Sequence, residues 1–400
     1  MYGMTERYTG VRPGGNRFSH TVTGERRGGP DCVFSRLMPA GPTLPVAVNE
    51  PAVANDLVEV TRHGLYVPAA DLYLDARWAP GTVFVSHAHA DHCSRADRIV
   101  CTPDTAAIHA ARRGVRAALA IPLDTPTPFG DVELVLHSAA HCLGSAMLEV
   151  RTNSGVLVYT GDYKLRPNPF TPPSRIPRCD VLVMECTFGE PRYEFPGDES
   201  LIARLHEFVD AALAEGATPV VLAYALGKGQ AALFHLTGHG YDVMVHGAIA
   251  NLCRLHVELG HAFPGPGTWT RYRRGDVGAC VLLTTPGTRK TAMVEALPKK
   301  RICHLTGWAY HPGAHNIFKG CDLVLPLSDH ADYSELVRTA RESGARRVFT
   351  VHGPASFADR LRARGIYATH LTSHPQDIFD ADDGDPSPET PVGGQHRLAL

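Results

Sequence analysis

The run His87-Ala88-His89-Ala90-Asp91-His92 presents four strong metal ligands directly behind a short β-branched and aromatic stretch at 82–86. On an extended exit from a strand, His87 and His89 point the same way, because side chains alternate with period two. Asp91 and His92, just past the turn, can face a second point. Imidazole suits zinc, and carboxylate with imidazole suits a second zinc or manganese. The competing reading is a chance run of solvated histidines; the spacing and the preceding strand argue against it. Four more positions repeat the arrangement: His141, Asp162, His330 and His352 follow predicted strands at 132–137, 156–160, 323–326 and 347–351. A lone histidine after a strand is more often a hydrogen-bonded structural residue. Four such positions beside small residues favour ligands, since the ends of successive strands converge on one sheet edge.

The elements that position these residues alternate along the chain. Strands are expected at 57–61, 64–67, 72–75, 83–86, 99–101, 132–137, 146–151, 156–160, 181–185, 219–223, 242–245, 279–284, 300–305, 323–326 and 347–351. Helices are expected at 103–113, 199–215, 228–237, 248–259, 288–296, 333–343 and 355–364. The early part is strand-rich with hairpin-like spacing; from about 199 to 300 strand and helix alternate, as in a parallel α/β domain. Residues 1–52, rich in Gly, Pro, Arg and Ser without apolar period, read as a disordered extension, and 377–400 as an acidic tail.

Composition bounds the function classes. The chain has 400 residues and a formal net charge of −2, which argues against a protein that coats DNA in bulk but not against an enzyme with a local basic groove. No apolar stretch approaches the ~20 residues of a membrane helix, and the N-terminus lacks a secretory apolar core. The 10 cysteines contain no CxxC pair, so neither a disulfide framework nor a cysteine zinc cage is indicated; a reducing cytoplasm is expected.

The motif series resembles the metallo-β-lactamase superfamily: His-x-His-x-Asp-His, then a histidine, then an aspartate. Later segments narrow the resemblance to the β-CASP nucleases, through Met184-Glu185-Cys186-Thr187, Ala225-Leu226-Gly227-Lys228-Gly229-Gln230, Ser328-Asp329-His330 and Val351-His352-Gly353. Within that family, Thr61-Arg62-His63-Gly64-Leu65-Tyr66 and a compact insertion are similar to bacterial exonuclease-like proteins associated with an ATP-dependent DNA ligase. The resemblance covers roughly residues 56 to 372. It implies a four-layer αββα domain over 56–195, an α/β cap inserted over 196–318, and a return segment over 319–376.

The resemblance also implies two divalent ions, zinc or manganese. His87, His89, His141 and His352 would hold one; Asp91, His92 and His330 the other; Asp162 would bridge them. Glu185 would orient His330 or pass a proton, and Asp91, Asp162, Glu185 and His330 form the expected catalytic set. The implied reaction is phosphodiester hydrolysis, of DNA ahead of RNA, by an exonuclease in end processing.

From the residues themselves, Gly227-Lys228-Gly229 at a helix start could hold a phosphate. Arg271, Tyr272, Arg273 and Arg274, with Arg289 and Lys290, could line a backbone-tracking groove in which Tyr272 stacks on a base. The alternatives are an ordinary turn and a solvated charged face. His352 is common in RNA-processing relatives of this family, which keeps RNA open as substrate. A small-molecule hydrolase and a non-catalytic scaffold are the remaining alternatives; the inserted domain opposes the first and the full ligand set the second.

Overall fold

A computed structural model describes residues 57–273 and 280–371. The N-terminal extension, the acidic tail and Arg274 lie outside the described residues.

Three six- or seven-stranded sheets carry the described residues. The first contains β1 (Glu59–Thr61), β2 (Gly64–Val67), β3 (Leu72–Leu74), β4 (Thr82–Phe84), β5 (Arg98–Cys101) and β6 (Ala117–Ala120), in that order. The second begins with β7 (Thr127–Phe129), β8 (Val132–Ser138), β9 (Ala146–Thr152), β10 (Gly155–Tyr159) and β11 (Val181–Glu185). The third holds β12 (Thr218–Leu222), β13 (Val243–Val245), β14 (Trp269–Arg271), β15 (Val281–Thr284), β16 (Lys300–Leu305) and β17 (Leu323–Leu325), ordered β14-β13-β15-β12-β16-β17 and parallel at every pairing. The chain then completes the second sheet with β18 (Arg347–Val351) and β19 (Ala368–His370), giving the order β19-β18-β11-β10-β9-β8-β7. The helices are α1 (Pro103–Arg113), α2 (Asp198–Ala214), α3 (Lys228–His239), α4 (Gly247–Glu258), the short α5 (Ala292–Glu295) and α6 (Ala314–Ile317), then α7 (Tyr333–Glu342) and α8 (Ser356–Arg362).

Period-two alternation builds the layers. Val181 and Val183 of β11 join Leu134, Leu136, Leu148 and Tyr159 against Leu72, Leu74, Phe84 and Val100, so the first two sheets face each other across one apolar core. Leu182 and Met184 point the other way, onto Leu336 and Ala340 of α7 and Phe357 and Leu361 of α8. Val83, Ile99 and Cys101 cover the outer face of the first sheet with Ala106 of α1. This is the expected αββα order. The third sheet is an α/β insertion, its faces covered by α2, α3 and α4 on one side and by Val294 and Leu297 on the other. The two parts meet where Leu226 and Leu252 of the insertion pack on Ala88, Cys93, Ile108 and Cys142.

Three expectations shift. The strands β6, β7, β14 and β19 lie outside the expected set; each is a sheet edge of three or four residues with few buried positions, so no apolar alternation marks it. The helix expected over 288–296 is a 3-10 turn, Pro286–Thr288, followed by α5, because the Thr288 hydroxyl donates to Thr285 O at 2.8 Å and closes a local turn. The return segment does not begin at 319: β17 pairs with β16, Cys303 opposite Leu323, so the chain crosses back only after Leu325.

Candidate metal centre

The first histidines leave β4 as expected. Val85 N–H still donates to Val100 O at 2.9 Å, so the chain stays extended to Ser86 before releasing His87. On the facing sheet β10 ends at Tyr159, and Gly161 with φ +52° turns the chain to aim Asp162 at the same point. A Cβ on Gly161 would stand 2.5 Å from Ser86 Cβ, so only glycine lets the two strand ends approach this closely. His352, after β18, holds φ +51°, a left-handed conformation at a functional position. A Cβ on the following Gly353 would lie 2.0 Å from Cys186 O.

These strand ends bring the sequence-predicted residues together. Asp162 Oδ2 lies 3.6 Å from His87 Nε2, 3.3 Å from His92 Nε2 and 4.0 Å from His141 Nε2. Its other oxygen is 4.0 Å from His352 Nδ1. His89 Nδ1 and His141 Nε2 are 3.0 Å apart. Asp91, more exposed than the rest, keeps a carboxylate oxygen 3.7 Å from His92 Nε2. Three ligand groups have donor atoms all within 4.8 Å: His87-His89-His141, His87-His92-Asp162 and His141-Asp162-His330.

The hydrogen bonds on the far side of each ring fit this cluster to a cation. His89 Nε2 lies 3.1 Å from Leu226 O and His141 Nδ1 lies 2.9 Å from Asp329 O. A carbonyl cannot donate, so each of these nitrogens carries the ring proton, and the two nitrogens that face each other are bare lone pairs. His92 Nδ1 and His330 Nδ1 lie 2.9 Å and 3.0 Å from the carboxylates of Asp75 and Glu185, which leaves both Nε2 atoms inward. Ser86 Oγ donates to Asp75 at 2.6 Å and therefore accepts from His87 Nδ1 at 2.9 Å. His87 Nε2 is then buried without a hydrogen-bond partner. Lone pairs converging in a buried site repel unless a cation lies among them; this is the outer arrangement that orients metal-ligating histidines.

The electrostatics agree. Burial, and then the neighbouring imidazoles, hold His87 far below the usual histidine range and bring His141 down to about 3, so both stay neutral, as ligands must. Burial also opposes charge on His92, but Asp162, Asp91 and Asp75 outweigh it and raise His92 well above its usual value. A field that holds a proton there equally attracts a divalent cation. Burial would push Asp162 up, yet His92 and His330 outweigh it and keep the carboxylate ionised.

Several expectations need correction. His352 stands against His92, ring centroids 5.4 Å apart, and His330 against His141 at 4.7 Å. His352 therefore lies on the His92 side of the cluster and His330 on the His141 side, the reverse of the placement the resemblance implies. Glu185 is 1 % exposed and its oxygens accept from Tyr163 N–H, Thr187 N–H and His330, so it does not itself reach the open site. The Gly227 turn is no phosphate cradle: the N–H groups of Gly227, Lys228 and Gly229 donate to Gln230 Oε1, Leu226 O and Tyr224 O. Lys228 itself is buried, 3.6 Å from Asp329. Tyr272 is half-buried against the core of the inserted sheet, and Arg289 donates to Cys321 Sγ at 3.3 Å. Arg271, Arg273 and Lys290 are exposed.

Sequence reading missed Asp75. It follows β3, which runs parallel to β4, with φ +46°, and its carboxylate accepts from Ser86 N–H, Ser86 Oγ, Tyr159 Oη and His92 Nδ1. An acidic residue closing a predicted strand was the available signal.

Residues 324–372, which contain β18, His330 and His352, match the family described as Zn-dependent metallo-hydrolase RNA specificity domain. The chain is 37% identical over 315 residues to a protein named "Probable DNA ligase" from Opitutus terrae, a match covering 76% of this chain and 30% of that protein. Residues 324–372 thus form a β-CASP-type Zn-dependent metallo-hydrolase domain. The chain is also 36% identical over 105 residues to "Transcription termination factor FttA" of Thermococcus kodakarensis, covering 25% of this chain and 16% of that one. To "Integrator complex subunit 11" of Danio rerio it is 22% identical over 282 residues, 58% of this chain and 46% of the relative. The chain thus spans less than half the length of each of these curated relatives. Among the described residues, no helix of this metallo-hydrolase is long and apolar enough to cross a membrane.

Proposed function

We propose that this metallo-hydrolase is a nuclease that cleaves phosphodiester bonds of DNA, working from strand ends in a reaction that prepares them for ligation. The observation that carries the proposal is the position of the ligand cluster against the C-terminal edge of the inserted parallel sheet. The turn after β12 touches His89 through Leu226 O at 3.1 Å. The exposed Arg271 and Arg273, at the end of β14, and Lys290, after β15, lie on that same edge. The carboxyl ends of parallel strands are where such sheets take ligands, and a row of cations there suits a polymer of phosphates. Likeness to a protein named as a probable DNA ligase favours DNA. The match to a domain named for RNA specificity favours RNA as the second reading.

His87, His89, His141 and Asp162 would hold one divalent ion, zinc or manganese, and Asp91, His92, His352 and Asp162 the other. Such ions make water a competent nucleophile near neutral pH and offset negative charge on phosphoryl oxygens. The chain's own residues do the rest. Asp75, Leu226 O and Asp329 O fix the ring orientations before substrate arrives. Burial opposes the charge on His330, but Glu185, 3.0 Å from its Nδ1, outweighs it and raises the imidazole to about 9. Left outside both ligand sets, His330 would carry a proton at neutral pH, and at 24 % side-chain exposure it would deliver that proton from Nε2 to the departing 3′-oxygen. Glu185 keeps the ring in place while it does so.

End-labelled single-stranded DNA, duplex DNA and single-stranded RNA, compared at one salt concentration with zinc or manganese, test the reading. Metal-dependent shortening of DNA from an end, faster than of RNA, is expected. Cleavage of RNA with DNA left intact establishes the second reading, and no cleavage of either removes nuclease function.

A further inference from the structure

The turn Ala225–Gln230 binds no phosphate in its own backbone, yet it is the part of the insertion that reaches deepest into the metal-ligand cluster. Leu226 O takes the Nε2 proton of His89 at 3.1 Å. Gly227, at φ +80°, sits so close that an added Cβ would lie 3.2 Å from Cys142 Cβ and 3.4 Å from Asp329 Oδ2. Lys228 Nζ, 4.7 Å from the centre of the Tyr224 ring, is 3.6 Å from the same Asp329 carboxylate. Lys228 and Asp329 are 4 % and 5 % exposed. The backbone carbonyl of Asp329 takes the Nδ1 proton of His141 at 2.9 Å. Two of the three histidines in the first ligand group therefore owe their tautomers to this turn, His89 directly and His141 through Asp329.

We propose that Lys228 is a positioning residue, and that the turn bearing it couples docking of the inserted domain to metal loading of the His87-His89-His141 group. Removing the Lys228 charge takes the 3.6 Å partner from a buried carboxylate and leaves Lys164, beyond ion-pair distance, as its remaining lysine; the segment carrying it then relaxes toward water and withdraws the acceptor of His141. By reciprocity, metal bound by His89 and His141 holds the turn down, because each equilibrium must shift the other by the same factor. The inference rests on the cluster binding metal and is independent of which polymer is cut.

The test is zinc affinity, measured by competition with a chromophoric chelator, on the full chain and on Lys228→Met, Lys228→Arg and Asp329→Asn. Loss of an outer partner of a metal-ligating histidine lowers affinity 10–100-fold as a rule. Lys228→Met and Asp329→Asn are expected in that range, the double variant no weaker than the worse single, and Lys228→Arg within about threefold of wild type. Hydrogen exchange of the Gly227 and Gly229 amides should slow when zinc is added to wild type. This measurement, with Asp329→Asn, decides the matter if Lys228→Met does not fold. Zinc affinities unchanged within twofold, or an Lys228→Arg chain as weak as Lys228→Met, overturn the coupling. Wild type that binds no zinc overturns the metal-centre reading beneath it.

Discussion

Replacing Asp75 with Asn changes one atom of a carboxylate that receives four donors: Ser86 N–H at 2.7 Å on Oδ1, and Ser86 Oγ at 2.6 Å, Tyr159 Oη at 2.9 Å and His92 Nδ1 at 2.9 Å on Oδ2. An amide offers one accepting oxygen, so its NH₂ must oppose a donor in either orientation. With the nitrogen at Oδ2, His92 escapes only by moving its proton to Nε2, the atom 3.3 Å from Asp162. With the nitrogen at Oδ1, it meets the Ser86 amide and pushes on the strand exit that releases His87. Either outcome gives up at least one charge-assisted hydrogen bond, about 1.5–3 kcal/mol. The first would also withdraw a lone pair from the proposed second metal site, about 10–100-fold in metal affinity. Chelator competition for zinc and urea unfolding of the metal-free chain read the two effects separately. Asp75→Asn with zinc affinity within twofold of wild type and an unshifted urea midpoint would refute the role given to Asp75.

Two further outcomes follow from the geometry. Gly161→Ala forces a Cβ to 2.5 Å from Ser86 at φ +52°, which should cost roughly 1–3 kcal/mol and displace Asp162, lowering both the melting temperature and turnover; a variant matching wild type in both contradicts the close approach. Burial brings His304 down to about 3 and His235 and His256 down to about 4, so the fold keeps them neutral while the unfolded chain, at about 6.5, takes up protons first. Their contribution is complete above about pH 6.5 and is lost as pH falls from there toward the folded values, on the order of 2 kcal/mol each by pH 4.5. The urea midpoint of the metal-free chain should drop steeply across that window, and a flat profile there contradicts it.

What the sequence reveals here depends on distance along the chain. His87 to His92 are legible because one strand exit presents them all, and Asp162 and His352 because each closes a strand of its own. Asp75 is not, since its role exists only when β3 lies beside β4 across a loop. The partners of His330 and His352 are likewise set by which strand end meets which, and spacing carries no trace of that. Lys228 misleads for a different reason. Flanking glycines suggest a phosphate cradle, but Gln230, three residues on from Gly227, folds back to accept its N–H at 2.8 Å and closes the turn. The strand-rich part and the α/β insertion are legible because apolar alternation survives in the longer strands, such as β8 and β9, whereas the four layers come from the family resemblance. The alternation fails at the sheet edges β6, β7, β14 and β19, where few positions are buried.

The most direct measurement is cleavage of an end-labelled DNA strand by the metal-stripped chain as zinc or manganese is added back, with bound metal counted at each step. The proposed mechanism predicts no cleavage in the stripped chain, full activity as binding approaches two ions per chain, and none at any metal concentration for Asp162→Asn. Cleavage that survives stripping, or an active Asp162→Asn chain, would contradict it.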